Sequence, residues 1–274
     1  MTVITGPRST DPLDYQAVPR PVAAMAKDFP NGFHIAPHSH TRDQLLYSVS
    51  GTMRVHTGRE AWIVPPDRAV YIPAHVTHAI DIRGEVAMRT IYLVGDVSDG
   101  LPPGLPSGLP SGLPTAPTVL EVSDLLRALI LALIAEPVLY DEAGRGGAIA
   151  TLILSEIATA RPLPLVLPMP RDPRLRRVCA ALLADPSLPS GLDAWADLAG
   201  ASPRTLARLF ERELGLTFSV WRQRVRFHNA LEALVNGEPV GLIAERNGYR
   251  SVSAFSAAFR RTMGFPPSTL RDGV

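Results

Sequence analysis

The sequence lacks most of what would tie a chain to a membrane or an oxidising compartment. Its single cysteine, Cys179, allows no internal disulfide and no cysteine metal cluster. The longest unbroken apolar stretch, Ala128–Ala135, is too short to span a bilayer. The N-terminus has no basic-then-apolar export pattern. These absences predict a soluble, cytoplasmic protein with no membrane partner. Lysine is missing from Arg171 onward, where 15 arginines face 10 acidic residues for a net charge of +5. The first 170 residues carry −4, so the overall +1 hides an asymmetry. A basic third on a mildly acidic body suggests a polyanion-binding module joined to something else. Hydrophobic residues, by contrast, make up 46% of the 274, enough to bury a sizeable core and to exclude global disorder. Histidine is plentiful in one place only: six of the seven lie between His34 and His78.

Along the chain, residues 1–21 are polar and broken by Pro7, Pro12 and Pro19, which predicts a loose N-terminal arm. Residues 22–98 hold short β-type runs separated by Pro, Gly and Asp, the pattern of a sandwich or barrel. Residues 99–118 are a Pro/Gly-rich loop, LPPGLPSGLPSGLP at its centre, which can be neither helix nor central strand. Residues 119–162 open with the end of a short strand. Two very apolar helices follow, Asp124–Ala135 behind an N-cap at Ser123 and a second from about Arg145 to Ala160. So much Leu and Ile must be buried on the barrel or on another subunit. The expectation is a homodimer through residues 119–160, split to monomers by Glu at Leu129 and Leu133. The prolines of residues 163–171 predict an extended linker, and residues 172–274 read as helical throughout.

The helical third contains a duplication. Ser202, Leu206, Phe210 and Gly215 recur 49 residues on as Ser251, Phe255, Phe259 and Gly264. Leu192, Ala196 and Gly200 recur 48 residues on as Val240, Ala244 and Gly248. Each copy reads as a helix with a central Ala, a Gly turn, a Ser cap, then a helix with apolar residues four apart. That is the layout of a helix-turn-helix. A lone match is more often an ordinary helical hairpin, but two in tandem among arginines favour DNA. The run LDAWADLAGASPRTLARLFERELGLTFSVWRQ…EPVGLIAERNGYRSVSAFSAAFRRTMGFPPSTLR resembles the DNA-binding domain of the AraC family of bacterial transcription regulators. The resemblance covers about residues 172–271. It implies seven helices and two helix-turn-helix units joined by a long helix, here about Phe218–Val235.

In the first recognition helix Leu206 and Phe210 are expected in the core. Arg204, Thr205 and Arg208 then point outward as base contacts, since Arg bidentate to guanine is the commonest specific one. In the second, Phe255 and Phe259 face inward, and Ser253 and Ser256 remain for bases beside Val252 and Ala257. These are small, so phosphate positioning or a thymine-methyl contact suits this helix better than rich base readout. Ser202, Arg250, Ser251, Arg260 and Arg261 are the phosphate candidates.

The histidine-rich part reads GFHIAPHSHTRDQLLYSVSG, with the order Gly32, His38-x-His40, Gln44, Gly51, and then DRAVYIPAHVTH from Asp67. It resembles the two motifs of the cupin family, a small double-stranded β-barrel, over about residues 22–94. In metal-binding cupins the equivalents of His38, His40, Gln44 and His78 hold a divalent ion. Three imidazoles and an oxygen donor suit Ni, Zn, Co, Mn or Fe. The sequence departs from the family pattern in three places. Gln44 stands for the usual Glu, Asp67 and His75 replace glycines of the second motif, and Ile82 replaces its final Asn. The alternative is a metal-free pocket in which the histidines bind an organic ligand or one another. Trp62, Tyr71 and His75 are candidate walls of an effector pocket.

The fold class expected is thus α+β multidomain: a cupin-like barrel with two following helices, then an all-α domain with two helix-turn-helix units. The favoured function is a DNA-binding transcription regulator whose barrel senses a small molecule or metal. Its partners would be a double-stranded operator, a second copy of the chain, an effector and, further off, RNA polymerase. The alternatives are a metal-dependent cupin enzyme with a helical tail, a dioxygenase or isomerase, and a DNA-binding protein whose barrel serves only to dimerise. No acid–base carboxylate joins the histidines, which argues against the enzyme.

Overall fold

The computed structural model describes residues 9–94, 112–185 and 191–270. The start of the expected arm and residues 99–111 of the expected loop lie outside the described residues. The chain divides into two compact units, residues 1–55 with 64–163, and residues 56–63 with 164–274.

The first unit holds strands β1 (Val22–Phe29), β2 (His34–His38), β3 (Asp43–Ser48), β4 (Thr52–His56), β6 (Arg68–Ile72), β7 (His78–Arg83), β8 (Val86–Leu93), β9 (Thr118–Glu121) and β10 (Pro162–Leu163). One sheet runs β1-β8-β3-β6-β9-β10, and β2, β7 and β4 belong to the other. Register decides which side chains share a face. Gln44 lies opposite Ile72 and Tyr92, whereas Leu45 lies opposite Tyr71 and Ile91. Side chains alternate along a strand, so Gln44, Ile72 and Tyr92 face the barrel interior together, and Leu45, Tyr71 and Ile91 face the other way.

That outer face is covered by α1 (Asp124–Ala135) and α2 (Arg145–Thr159). The Ser123 side chain accepts a bond from Leu126 N, capping α1 as expected, and extended backbone at Glu136 ends the helix before Pro137. Leu126, Leu129, Ile130 and Leu133 form one stripe of α1, and Ile149, Ile153, Leu154 and Ile157 one stripe of α2. Both pack in a single cluster with Leu45, Tyr71, Ile91 and Leu93 of the sheet. Leu129 and Leu133, expected at a subunit interface, are therefore buried inside the unit, 8% and 1% exposed. The apolar residues left outside on these helices are Leu125, Leu131 and Leu152.

Two further expectations change here. The arm is not loose over its described part: Pro12–Tyr15 make a 3₁₀ turn, and Tyr15, 1% exposed, stacks on Tyr92 at 5.9 Å. The Gln16 side-chain oxygen accepts bonds from the backbone of Thr41 and Arg42, at 3.1 and 3.3 Å. Buried aromatic area outweighs the proline spacing. The two positions where the resemblance leads one to expect glycine keep a glycine-like backbone, with Asp67 at φ 60° and His75 at φ 63°. Non-glycine residues are uncommon there, so the motif's turn geometry has outlived its glycines.

The second unit contains β5 (Glu60–Val64, of which residues 60–63 fall here), β11 (Val166–Pro168), α3 (Pro173–Ala184), α4 (Ala196–Ala199), α5 (Pro203–Leu214), α6 (Phe218–Val235), α7 (Val240–Arg246) and α8 (Val252–Met263). A 3₁₀ turn, Leu192–Trp195, leads into α4, and another, Pro267–Leu270, is the last element among the described residues. Part of the expected linker is thus a strand: Val166 pairs with Trp62 and Leu167 with Ala61. The strand is also held to α6. Trp221 Nε1 donates to the Pro168 carbonyl at 2.8 Å, and Arg224 donates to that of Val166 at 3.0 Å. Pairing partners this distant in sequence cannot be seen in a proline-rich stretch read locally.

Candidate functional site

The two helix-turn-helix units are built by the same local devices. Gly200 and Gly248 close the turns at φ 66° and 77°. The Ser202 side chain accepts from Thr205 N at the start of α5, and that of Ser251 from Ala254 N at the start of α8. Both serines therefore cap their helices, and each remains exposed. Leu206, Phe210, Phe255 and Phe259 are each fully buried. The four-residue spacing so fixes the opposite faces. Arg204 and Arg208 are exposed on α5, with Thr205 half-buried between them. On α8, Ser253 and Ala257 are exposed, Ser256 is half-buried, and Val252 presents an uncovered methyl pair, 46% exposed. Arg250 is exposed in the turn before α8, and Arg260 and Arg261 in its last turn. The face offered by α5 is thus rich in fork donors and that of α8 poor in them, as the sequence implies.

In the barrel, His38, His40 and His78 converge, one ligand atom of each lying within 4.8 Å of the others. Their ring centres are 4.3 to 5.5 Å apart. His38 ends β2 and His78 begins β7, directly opposite it in register. Nδ1 of His38 lies 2.8 Å from the Ala36 carbonyl and Nδ1 of His78 3.0 Å from that of Val76. These carbonyls can only accept, so they hold the proton on Nδ1 and assign the ligand role to Nε2. His40 is buried, and neither of its ring nitrogens has a hydrogen-bond partner. Burial first, then the neighbouring His38 and His78, pull its pKa down to about 4. Gln44 is buried with its side-chain oxygen without a hydrogen bond, while its amide bonds the Tyr92 hydroxyl. A buried ring and amide oxygen left without partners are costly unless something coordinates them, so the donor set fits a divalent metal.

The three proposed pocket walls fare differently. Tyr71 faces away from the histidines, because it shares its side with Leu45. Its hydroxyl donates to Asp43 at 2.5 Å, and it is part of the core beneath α1 and α2. Trp62 is buried on β5, 1% exposed. His75 is exposed, and only its backbone, donating to the His40 carbonyl at 2.8 Å, adjoins the cluster. The residue that sequence reading missed is Tyr92. It bonds Gln44, sets its ring edgewise to His40 at 5.2 Å, and has its hydroxyl pKa pushed up by burial. Its place beside Gln44 comes from the register of β3 with β8, for which no local sequence pattern gives a signal.

Comparison with known proteins assigns each part. Residues 195–273 match the model of a helix-turn-helix domain and residues 27–94 that of a cupin domain. The HTH-type transcriptional regulator NimR of Escherichia coli (strain K12) is 28% identical over 233 residues, 84% of this chain and 80% of that protein. The HTH-type transcriptional regulator RipA of Corynebacterium glutamicum is 33% identical over 106 residues, 39% of this chain and 32% of that protein. Among solved structures, the C-terminal domain of AraT, a response regulator from Geobacillus stearothermophilus, is 33% identical. The match covers 36% of this chain and 84% of that one, with a TM-score of 0.33.

Proposed function

The chain is an AraC-type helix-turn-helix transcription regulator with a cupin domain, rather than an enzyme, and on that basis we propose that it binds its operator as a homodimer and answers to a ligand or divalent metal in the barrel. The observation that carries the DNA side is the pair of capped recognition helices with Arg204, Thr205 and Arg208 outward on the first. Base contacts are assigned to these and to Ser253 and Ser256, and phosphate contacts to Ser202, Arg250, Ser251, Arg260 and Arg261. On the sensing side, His38, His40, Gln44 and His78 would hold one ion of Ni, Zn, Co, Mn or Fe. The donors are neutral, so remaining coordination positions favour water or an anionic effector. The dimer contact is assigned to the outer side of α1 and α2. No helix among the described residues is long and apolar enough to cross a membrane.

Binding to the gene's own upstream region should weaken steeply with salt. The logarithmic slope should be about −0.9 for each phosphate neutralised. A flat dependence would remove the operator reading. Arg204→Ala and Arg208→Ala should each weaken specific binding by roughly 1–3 kcal/mol and relax the preference at one or two base pairs. Arg260→Ala should weaken all sequences about equally. Competition against operators with single base changes separates the two classes. Loss of affinity without any change of preference in the first two would show that the helix face is misassigned.

A further inference from the structure

Beyond the two recognition helices, the DNA-binding unit has a cleft between α6 and the turn leading into α8. The cleft holds about 320 Å³ and is lined by Ser219, Arg222, Gln223, Arg226, Asn247 and Tyr249, together with neighbouring backbone. Arg222 and Arg226 stand one helical turn apart on α6, on the same side. Arg222 is 7% exposed. The Gln223 amide donates to the Tyr249 hydroxyl at 3.0 Å, which fixes the wall of the cleft to the helix. Among the described residues no carboxylate lines this cleft. The next cleft along α6 shares Arg226 with this one but is lined by Asp185, Glu232 and Glu238 as well. Of the two, the cleft that also holds Arg222 is the one suited to an anion.

We infer that the Arg222–Arg226 cleft clamps a backbone phosphate of DNA held by the second helix-turn-helix unit. This rests on the operator reading and adds to it a site outside both recognition helices. Position favours DNA over a free anion. Gly248 and Tyr249, part of the cleft wall, come just before Ser251, which caps α8. The N-terminal end of a recognition helix is the one that enters the major groove, so the turn before it lies against the strand bordering that groove. Need favours it as well. With only Ser253, Ser256, Val252 and Ala257 toward bases, α8 must be oriented by phosphate contacts. Arg222 is buried beside the like charge of Arg226, so two positive groups face one small cleft, an arrangement that suits a doubly contacted phosphate.

The test compares wild type, Arg226→Gln and Arg226→Lys on a duplex of the gene's upstream region and on an unrelated duplex of equal length. Arg226 is the half-buried member of the pair and the safer one to change. Arg226→Gln should lower affinity for both duplexes by a similar factor and reduce the salt slope by about one, without altering base preference. Arg226→Lys should keep the slope. Phosphate-ethylation interference with the wild type, which needs no variant to fold, should show one sensitive phosphate beside the half-site of α8. Arg226→Gln should lose that sensitivity. A steep wild-type slope unchanged in Arg226→Gln would overturn the clamp and leave the operator reading standing. So would binding of inorganic phosphate to the DNA-free protein that depends on Arg226 while the DNA slope does not. Absence of salt-dependent binding by the wild type would overturn both.

Discussion

A chain carrying Leu129→Glu and Leu133→Glu should fail to fold its N-terminal unit, not merely fall apart into monomers. Both leucines pack against the barrel's outer face with Leu45, Tyr71 and Ile91, and they are 8% and 1% exposed. Losing a buried leucine costs about 2–5 kcal/mol, and placing an unpaired carboxyl in its stead adds the cost of burying a polar group. Two such changes approach the whole stability of a domain, about 5–15 kcal/mol. Circular dichroism should show lost strand signal, and the unit's cooperative melting should vanish. Leu125→Glu with Leu152→Glu is the contrasting pair, because these residues are 50% and 47% exposed. That variant should keep its melting transition while sedimenting as a monomer where the wild type sediments as a dimer. A Leu129→Glu/Leu133→Glu protein that melts like wild type and loses only self-association would mean the buried stripe had been assigned to the wrong neighbour.

His40→Ala should abolish stoichiometric metal binding. The four donors are His38, His40, Gln44 and His78, and none carries a charge to compensate for a missing ligand. Removing even an outer-shell partner costs about 10–100-fold in affinity, so losing a ligand itself should cost at least roughly 100-fold. The imidazole of His40 has its pKa held down to about 4, so near neutral pH it needs to release no proton before coordinating. Gln44→Glu should tighten binding by placing a negative charge beside the ion. Calorimetric titration of the full chain with Ni, Zn, Co, Mn and Fe, beside both variants, reads these effects directly. Operator affinity of metal-free His40→Ala should match that of the metal-free wild type, because the substitution lies in the other unit. Equal heats from wild type and His40→Ala, or none from any metal, would make the cluster the lining of an organic-ligand pocket.

Much of this protein is encoded in short-range relations, and those were legible in the chain alone. Ser202 and Ser251 cap helices through the backbone three residues ahead, Gly200 and Gly248 reach a left-handed turn that other residues resist, and Leu206 and Phe210 share a face because a helix repeats every 3.6 residues. Each relation spans only a few residues, so it survives without knowledge of the fold, and its duplication marks the DNA-binding unit. His38, His40 and Gln44 belong to one motif and His78 to a second, and it is the resemblance to cupins that joins the four, with the register of β2 and β7 setting His78 opposite His38.

Tertiary structure alone decided which surfaces meet. The stripes of α1 and α2 required burial, yet amphipathicity names the face to be hidden and not the surface that hides it. Here it is the barrel's own sheet. Tyr71 and Gln44 lie in different strands, and only the register that sets Tyr71 opposite Leu45 sends it to the outer side, leaving Tyr92 beside Gln44. Tyr15 on Tyr92, and Val166 paired with Trp62, close contacts across some 70 to 100 residues of chain. Pairings that distant have no local periodicity to betray them. They form only when the surrounding core supplies enough buried area to outweigh the entropy of bringing remote segments together.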